Sequence, residues 1–222
     1  MKLLISLSVS LNLIFLFILI VIFVNIPKKE SGKVTYQTSQ NQNYETDTFA
    51  IVMLGNSLTY NGDWQKLLGR SDVHNCGITD FTSQQLGWIL NWCVIANKPS
   101  ICFINGGHED VFLKVPLEAV SDNFAAIADT LKNHNIKPVF QSLLHLRNQP
   151  ELNVKIKQIN VLLKAYCERN NIDYIDLNTV LCDSGGVKSR LSTDGMQLND
   201  DGYTQWGNQL KEYLQKNPIE KK

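Results

Sequence analysis

A chain of 222 residues in which 21 basic and 21 acidic side chains cancel is sized for one domain and lacks the basic excess that a nucleic-acid backbone selects. Its 44% apolar content is that of a protein with a packed core and excludes a wholly disordered chain. The five cysteines, odd in number and without a CxxC pair, make a zinc site improbable and read as small buried hydrophobes.

The first element in chain order is an uncharged run from Leu3 to Ile26. At about 1.5 Å per residue such a run spans the roughly 30 Å hydrocarbon layer with some tilt, and it is apolar on every face, unlike an amphipathic core helix. It ends in Val24-Asn25-Ile26-Pro27, then Lys28 and Lys29, without the small-x-small site of a cleaved leader. Residues 1–29 read as an N-terminal transmembrane helix, a membrane anchor or uncleaved signal. A signal peptide with a poor cleavage site is the alternative. Lys28, Lys29 and Lys33 after the run outnumber Lys2 before it, which favours a cytoplasmic flank on that side. Short N-terminal anchors nevertheless often export the domain behind them, and the expectation is a single-pass protein with a periplasmic or extracellular domain. Residues 30–47 are polar and aperiodic, a tether.

A domain over residues 48–217 then alternates strands and helices. Thr48–Leu54 is a continuous apolar run, a buried strand. Asp63 caps a short helix over residues 64–70. Asp72–Cys76 is a short strand. Residues 83–97 are helical, with Leu86, Ile89, Leu90, Cys93 and Val94 at helical spacing. Ser100–Asn105 is a strand running into Gly106-Gly107. Leu117–His134 is a helix, Lys137–Leu144 a strand, Glu151–Asn170 a helix, Ile172–Leu177 a strand and Asp200–Lys216 a last helix. The alternation implies right-handed crossovers and a five-stranded parallel sheet covered on both faces, a three-layer, flavodoxin-like α/β sandwich. Ligands of such sheets bind at the carboxyl ends of the strands. Ser57, the segment Gly107-His108-Glu109-Asp110 and His145 all come directly after strand ends.

Gly55-Asn56-Ser57-Leu58 leaves the first strand at a strand-to-helix turn, a place that exposes a hydroxyl and gathers backbone N–H groups. Read locally, Ser57 is either a nucleophile or a helix cap. Three further segments favour the first. Asn75-Cys76-Gly77-Ile78, Gly107-His108-Glu109-Asp110, and Asp194-Gly195-Met196-Gln197-Leu198-Asn199 with Gly202-Tyr203 behind it stand in the order and spacing of the conserved blocks of the SGNH (GDSL-type) hydrolases. The chain resembles that family over most of residues 48–215, and Asp63-Trp64 and Gln141-Ser142 look like its bacterial acetylhydrolase-like branch.

The resemblance implies a serine esterase acting on small acyl or acetyl esters of glycans or lipids, with no metal and no cofactor. Ser57 would attack the ester carbonyl, the backbone N–H groups of Ser57 and Gly77 would hold the oxyanion, and Asp194 would orient a histidine three residues on. A serine hydroxyl needs a base in reach and the base needs an orienting acid. Two positions depart from that pattern. Gln197 stands where the family has its catalytic histidine, and an amide takes no proton at neutral pH. Loss of such a histidine costs a serine protease roughly 10⁶-fold in turnover. Glu109 stands where the family has an asparagine that donates to the oxyanion, a contribution of roughly 2.7–4 kcal/mol. An ionised carboxylate at ~4 Å would add repulsion of about 4 kcal/mol at an effective dielectric near 20.

Of the four histidines, His145 lies on the rim and is the candidate relocated base. His74 reads as structural, His134 as solvent-facing, and His108 occupies the variable position of its block. Glu109 itself is a second possible base. Two functions stay open: an ester hydrolase with an unconventional base, or a non-catalytic relative that binds a carbohydrate or a protein in the retained pocket. Asn56, Asn61, Gln84, Asn105 and Gln141 would form a polar rim for either.

Overall fold

The first strand, β1 (Ile51–Gly55), carries no polar side chain and is buried along its whole length, which puts it in the middle of a sheet covered on both faces. The computed structural model describes residues 49–219. The anchor expected over residues 1–29 and the tether over residues 30–47 lie outside the described residues. Among the described residues, no helix is long and apolar enough to cross a membrane.

The edge strand β2 (Val73–Gly77) and the strands β3 (Ile101–Asn105), β4 (Lys137–Gln141) and β5 (Asp173–Ile175) complete a parallel sheet of order β2-β1-β3-β4-β5. The five-stranded α/β architecture expected from the alternation is therefore present. Side-chain alternation divides the core in two. Val52, Leu54, Cys102, Ile104 and Phe140 face helices α5 (Leu117–Asn133) and α6 (Pro150–Arg169); Ile51, Met53, Ile101, Phe103 and Val139 face α2 (Trp64–Leu68) and α8 (Asp200–Lys216). Phe124 meets Phe140 edge-on across the first layer, with ring centroids 5.7 Å apart, and Trp64 meets Trp206 edge-on across the second at 4.8 Å.

Asp63 caps α2 by accepting from the Lys66 N–H, as its position before the apolar run predicts. Three findings depart from the expectations. The helix expected over residues 83–97 is α3 (Ser83–Trp88), then a π-helical turn (Leu90–Val94) and a 3₁₀ turn (Ile95–Asn97). The apolar period survives this widening, so periodicity alone could not show it. The widened turn holds Cys93, which forms a disulfide with Cys76 of β2. Those two cysteines are not the free buried hydrophobes expected, whereas Cys102, Cys167 and Cys182 are. The fourth strand stops at Gln141, and the buried segment beyond it satisfies its backbone through side chains. Asn160 of α6 pairs with both the N–H and the C=O of Leu143, and Asn153 does the same for Leu146, as buried main-chain groups require. Short helices α1 (Ser57–Tyr60), α4 (His108–Phe112) and α7 (Asn178–Leu181), and a hairpin of Cys182–Asp183 with Gly186–Val187, fill the connections.

Candidate functional site

The turn between β1 and α1 sets Ser57 as the first residue of a four-residue helix. Asn56 is its N-cap: the buried Asn56 side chain accepts from the Leu58 N–H, so it shapes the turn and does not line an open rim. The turn is fastened from several directions. Asn75 of β2 donates through Nδ2 to the carbonyls of Thr59, Tyr60 and Gly62. Trp64 Nε1 donates to Thr59 O at 2.8 Å, and Tyr203 of α8 donates its hydroxyl to Leu58 O at 2.8 Å. A Cβ on Gly77 would run into the backbone of Tyr60, so only glycine lets β2 end this close to the serine turn.

Ser57 Oγ accepts a long hydrogen bond, 3.4 Å, from the N–H of Asp80. Asp80 holds a left-handed φ of 60°, a conformation Asp tolerates better than most residues, and it lies just past β2 on the same rim. Gly77 comes to this place too, but its N–H donates to Asn75 Oδ1 at 2.9 Å. It is committed to a protein acceptor where the resemblance would aim it at an oxyanion.

Gln197 also reaches the serine turn. Its Oε1 accepts from Asn61 Nδ2 at 3.4 Å, and the Asn61 N–H in turn bonds to Ser57 O. Asp194 Oδ1 accepts the N–H groups of Gln197 (2.7 Å) and Met196 (2.8 Å), and these bonds hold its exposed carboxyl below the usual carboxylate range. Asp194 thus braces the loop that carries Gln197. Where the resemblance implies a histidine base, the structure holds this amide, which takes no proton at neutral pH.

Glu109 lies in the first turn of α4, which Gly107 opens with a φ of 108° that favours glycine. Partial burial raises the Glu109 pKa, and the neighbouring Asp80 and Asp110 carboxylates raise it further. Its proximity to Asp80 puts it on the serine side of the sheet, yet no hydrogen bond joins it to Ser57. Below about pH 4.3 Glu109 is neutral in both folded and unfolded chains; as pH rises through the elevated folded value, the folded chain alone carries a crowded charge and stability is lost. Glu109→Gln is therefore expected to raise the urea midpoint at neutral pH and to leave it unchanged near pH ~3. An equal shift at both pH values would mean that the effect is not electrostatic.

Among the described residues, no histidine is hydrogen-bonded to Ser57. The His145 N–H donates to Asn178, and its carbonyl accepts from Val187. Burial lowers its pKa, with Lys157 adding to this and Asp176 opposing it. No hydrogen bond joins His145 to Ser57, although the segment that carries His145 reaches the loop that carries Gln197, where the Arg147 N–H donates to Gly195 O. His108 is buried, with Nε2 2.9 Å from Leu144 O. His134 is exposed and meets Thr130 O, and His74 lies on β2 beside the disulfide.

Of the polar rim expected from sequence, Asn61 is exposed there, but Asn105 and Gln141 are buried and turn into the layer under α8, where Trp206 donates to Gln141 Oε1. Gln84 lies on α3. Sequence reasoning missed Asn75, Asp80 and Tyr203. Asn75 and Tyr203 stood inside the family blocks, which was a signal without a role attached; for Asp80 there was none. It also missed the buried Asp110 carboxylate, which accepts from both the N–H and the hydroxyl of Ser83 and ties α4 to α3.

A family model described as the GDSL-like lipase/acylhydrolase family matches residues 53–205. A GDSL-like lipase of Bacteroides thetaiotaomicron superposes with a TM-score of 0.69 at 21% identity, covering 77% of this chain and 89% of that one. An acetylxylan esterase of Geobacillus stearothermophilus does so with a TM-score of 0.65 at 17% identity, covering 77% and 94%. Identities this low speak for the fold alone. In sequence, the N-acylneuraminate cytidylyltransferase of Streptococcus agalactiae is 24% identical over 156 residues, covering 66% of this chain but only 38% of that protein.

Proposed function

The chain belongs to the GDSL-like lipase/acylhydrolase family, and we propose that its pocket binds an acylated small molecule of the O-acetylated sugar class without turning it over by the family's serine mechanism. One observation carries this reading: the loop that Asp194 braces through main-chain N–H groups presents the amide of Gln197 to Asn61 at the serine turn, and none of the chain's four histidines is hydrogen-bonded to Ser57 Oγ. The unconventional bases weighed from sequence, His145 and Glu109, make no bond to it either.

The ligand class is supported by two considerations. The named groups around Ser57, which are Asn61, Asp80, Glu109, Asp194 and Gln197, are amides and carboxylates suited to sugar hydroxyls. The similar proteins include one named for acetylxylan and one for an N-acylneuraminate. The Cys76–Cys93 disulfide supports an oxidising compartment, and the uncharged run of residues 3–26 supports a membrane tether holding the domain there.

Saturation-transfer NMR on the full-length chain with an O-acetylated monosaccharide tests the reading. Saturation should reach the acetyl methyl group, and no free acetate should accumulate. Acetate released by the wild-type chain and not by Ser57→Ala would instead establish a hydrolase.

A further inference from the structure

The edge strand carries a second cluster that the serine site does not use. His74 and Cys76 are alternate residues of β2 and share one face of it. The π-helical turn brings Cys93 against that face. Cys76 and Cys93 are buried and disulfide-bonded, with Cα atoms 6.0 Å apart, and His74 Nε2 lies 3.7 Å from Cys93 Sγ. The three potential ligand atoms all lie within 4.8 Å of one another. The half-buried His74 ring is held by Phe49, with ring centroids 4.8 Å apart.

A tetrahedral ion with metal–sulfur bonds of about 2.3 Å and metal–nitrogen bonds of about 2.0–2.1 Å sets its sulfur and nitrogen ligands roughly 3.6 Å apart. The His74–Cys93 spacing already meets that. The sulfur–sulfur bond would have to open, to about 3.8 Å, and His74 Nε2 and Cys76 Sγ, which lie within 4.8 Å, would have to settle at the same roughly 3.6 Å, changes within reach of side-chain rotation.

We propose that His74, Cys76 and Cys93 form a redox-gated site for a divalent ion of the zinc class, shut as a disulfide and opened by a dithiol reductant. In the opening step the dithiol's sulfurs join to each other, and their two electrons and two protons convert the Cys76–Cys93 bond into two thiols. The ion then displaces both thiol protons. Neutral His74 supplies the third ligand through its imidazole lone pair, and water fills the fourth position. The site lies at the residue before Gly77, yet it stands independently of how the Ser57 pocket is used.

Cobalt(II) as a spectroscopic stand-in for zinc tests this on the full-length chain, before and after treatment with a dithiol that is then removed. Before reduction no thiolate-to-cobalt charge-transfer absorption is expected. After reduction one equivalent of cobalt should produce it. His74→Ala should weaken cobalt binding by more than the roughly 10- to 100-fold that loss of a ligand's outer partner costs, and Cys76→Ser with Cys93→Ser should abolish the absorption. The proposal is overturned if the reduced wild-type chain shows no such absorption or if His74→Ala binds cobalt equally well. It is overturned too if the absorption survives in the double serine variant, which would put the ion on Cys102, Cys167 or Cys182. Should reduction unfold the chain, cobalt must restore its near-ultraviolet circular dichroism; failure to do so counts against the site as well.

Discussion

Gln197→His combined with Glu109→Asn should convert the protein into a measurable esterase, with initial rates on a small activated acetyl ester at least about 100-fold above the wild-type chain, the lower end of what a placed general base contributes. The braces for a base at residue 197 already exist, because Asp194 holds the N–H groups of residues 196 and 197 and Asn61 faces the side chain. Replacing Glu109 removes a carboxylate crowded by Asp80 and Asp110 and supplies an amide donor. Each single substitution should recover much less than the pair, since residues that act as one unit are strongly non-additive. The gain is limited by Gly77, whose N–H is held by Asn75. Adding Ser57→Ala to the double variant should remove it entirely. A folded double variant with no gain would show that the pocket has drifted beyond these two side chains.

Trp206→Ala should cost the largest share of stability of any single truncation, about 3–5 kcal/mol as for other buried aromatic deletions. Trp206 is fully buried, meets Trp64 edge-on at 4.8 Å and stacks on Tyr203 at 6.1 Å. It also donates to Gln141 Oε1, while Gln141 Nε2 has no partner. Removing the indole would leave both ends of a buried amide unsatisfied, a further cost of about 1–3 kcal/mol. Trp64 and Tyr203 are the residues that donate to Thr59 O and Leu58 O, so the same truncation should loosen the serine turn. Urea unfolding measures the first effect, and the exchange protection of the amides of α1 measures the second. A loss under about 1 kcal/mol would be incompatible with an aromatic layer that anchors this face of the sheet.

The sheet was legible because its strands are written as short apolar runs with turn residues behind them, and a strand buried on both faces has no other way to be written. Asp63 and the helix of residues 200–216 were legible through capping and amphipathic period. The chemical blocks were legible as residue types in order. Their local use was not, because it depends on contacts distant in sequence: Asn75 reaches three carbonyls of the serine turn, Asp80 meets Ser57 across 23 positions, and Cys76 finds Cys93 across 17. Asn105 and Gln141 read as rim residues because polar side chains at strand ends usually face a pocket. The pleat turns both of them under α8 instead. His145 comes after a strand as the motif residues do, and its main chain is held by Asn178 and Val187, with no bond to Ser57.

In the proposed function the Ser57 hydroxyl is not activated for attack. Hydrolysis of a small activated acetyl ester by the full-length wild-type chain, set beside hydrolysis by Ser57→Ala at neutral pH, probes that state of the serine without intermediaries. Equal rates are expected, both at the level of a protein surface that merely contacts the ester. A wild-type rate that falls to that level only in Ser57→Ala would refute it and would make Ser57 a working nucleophile with a base not yet identified.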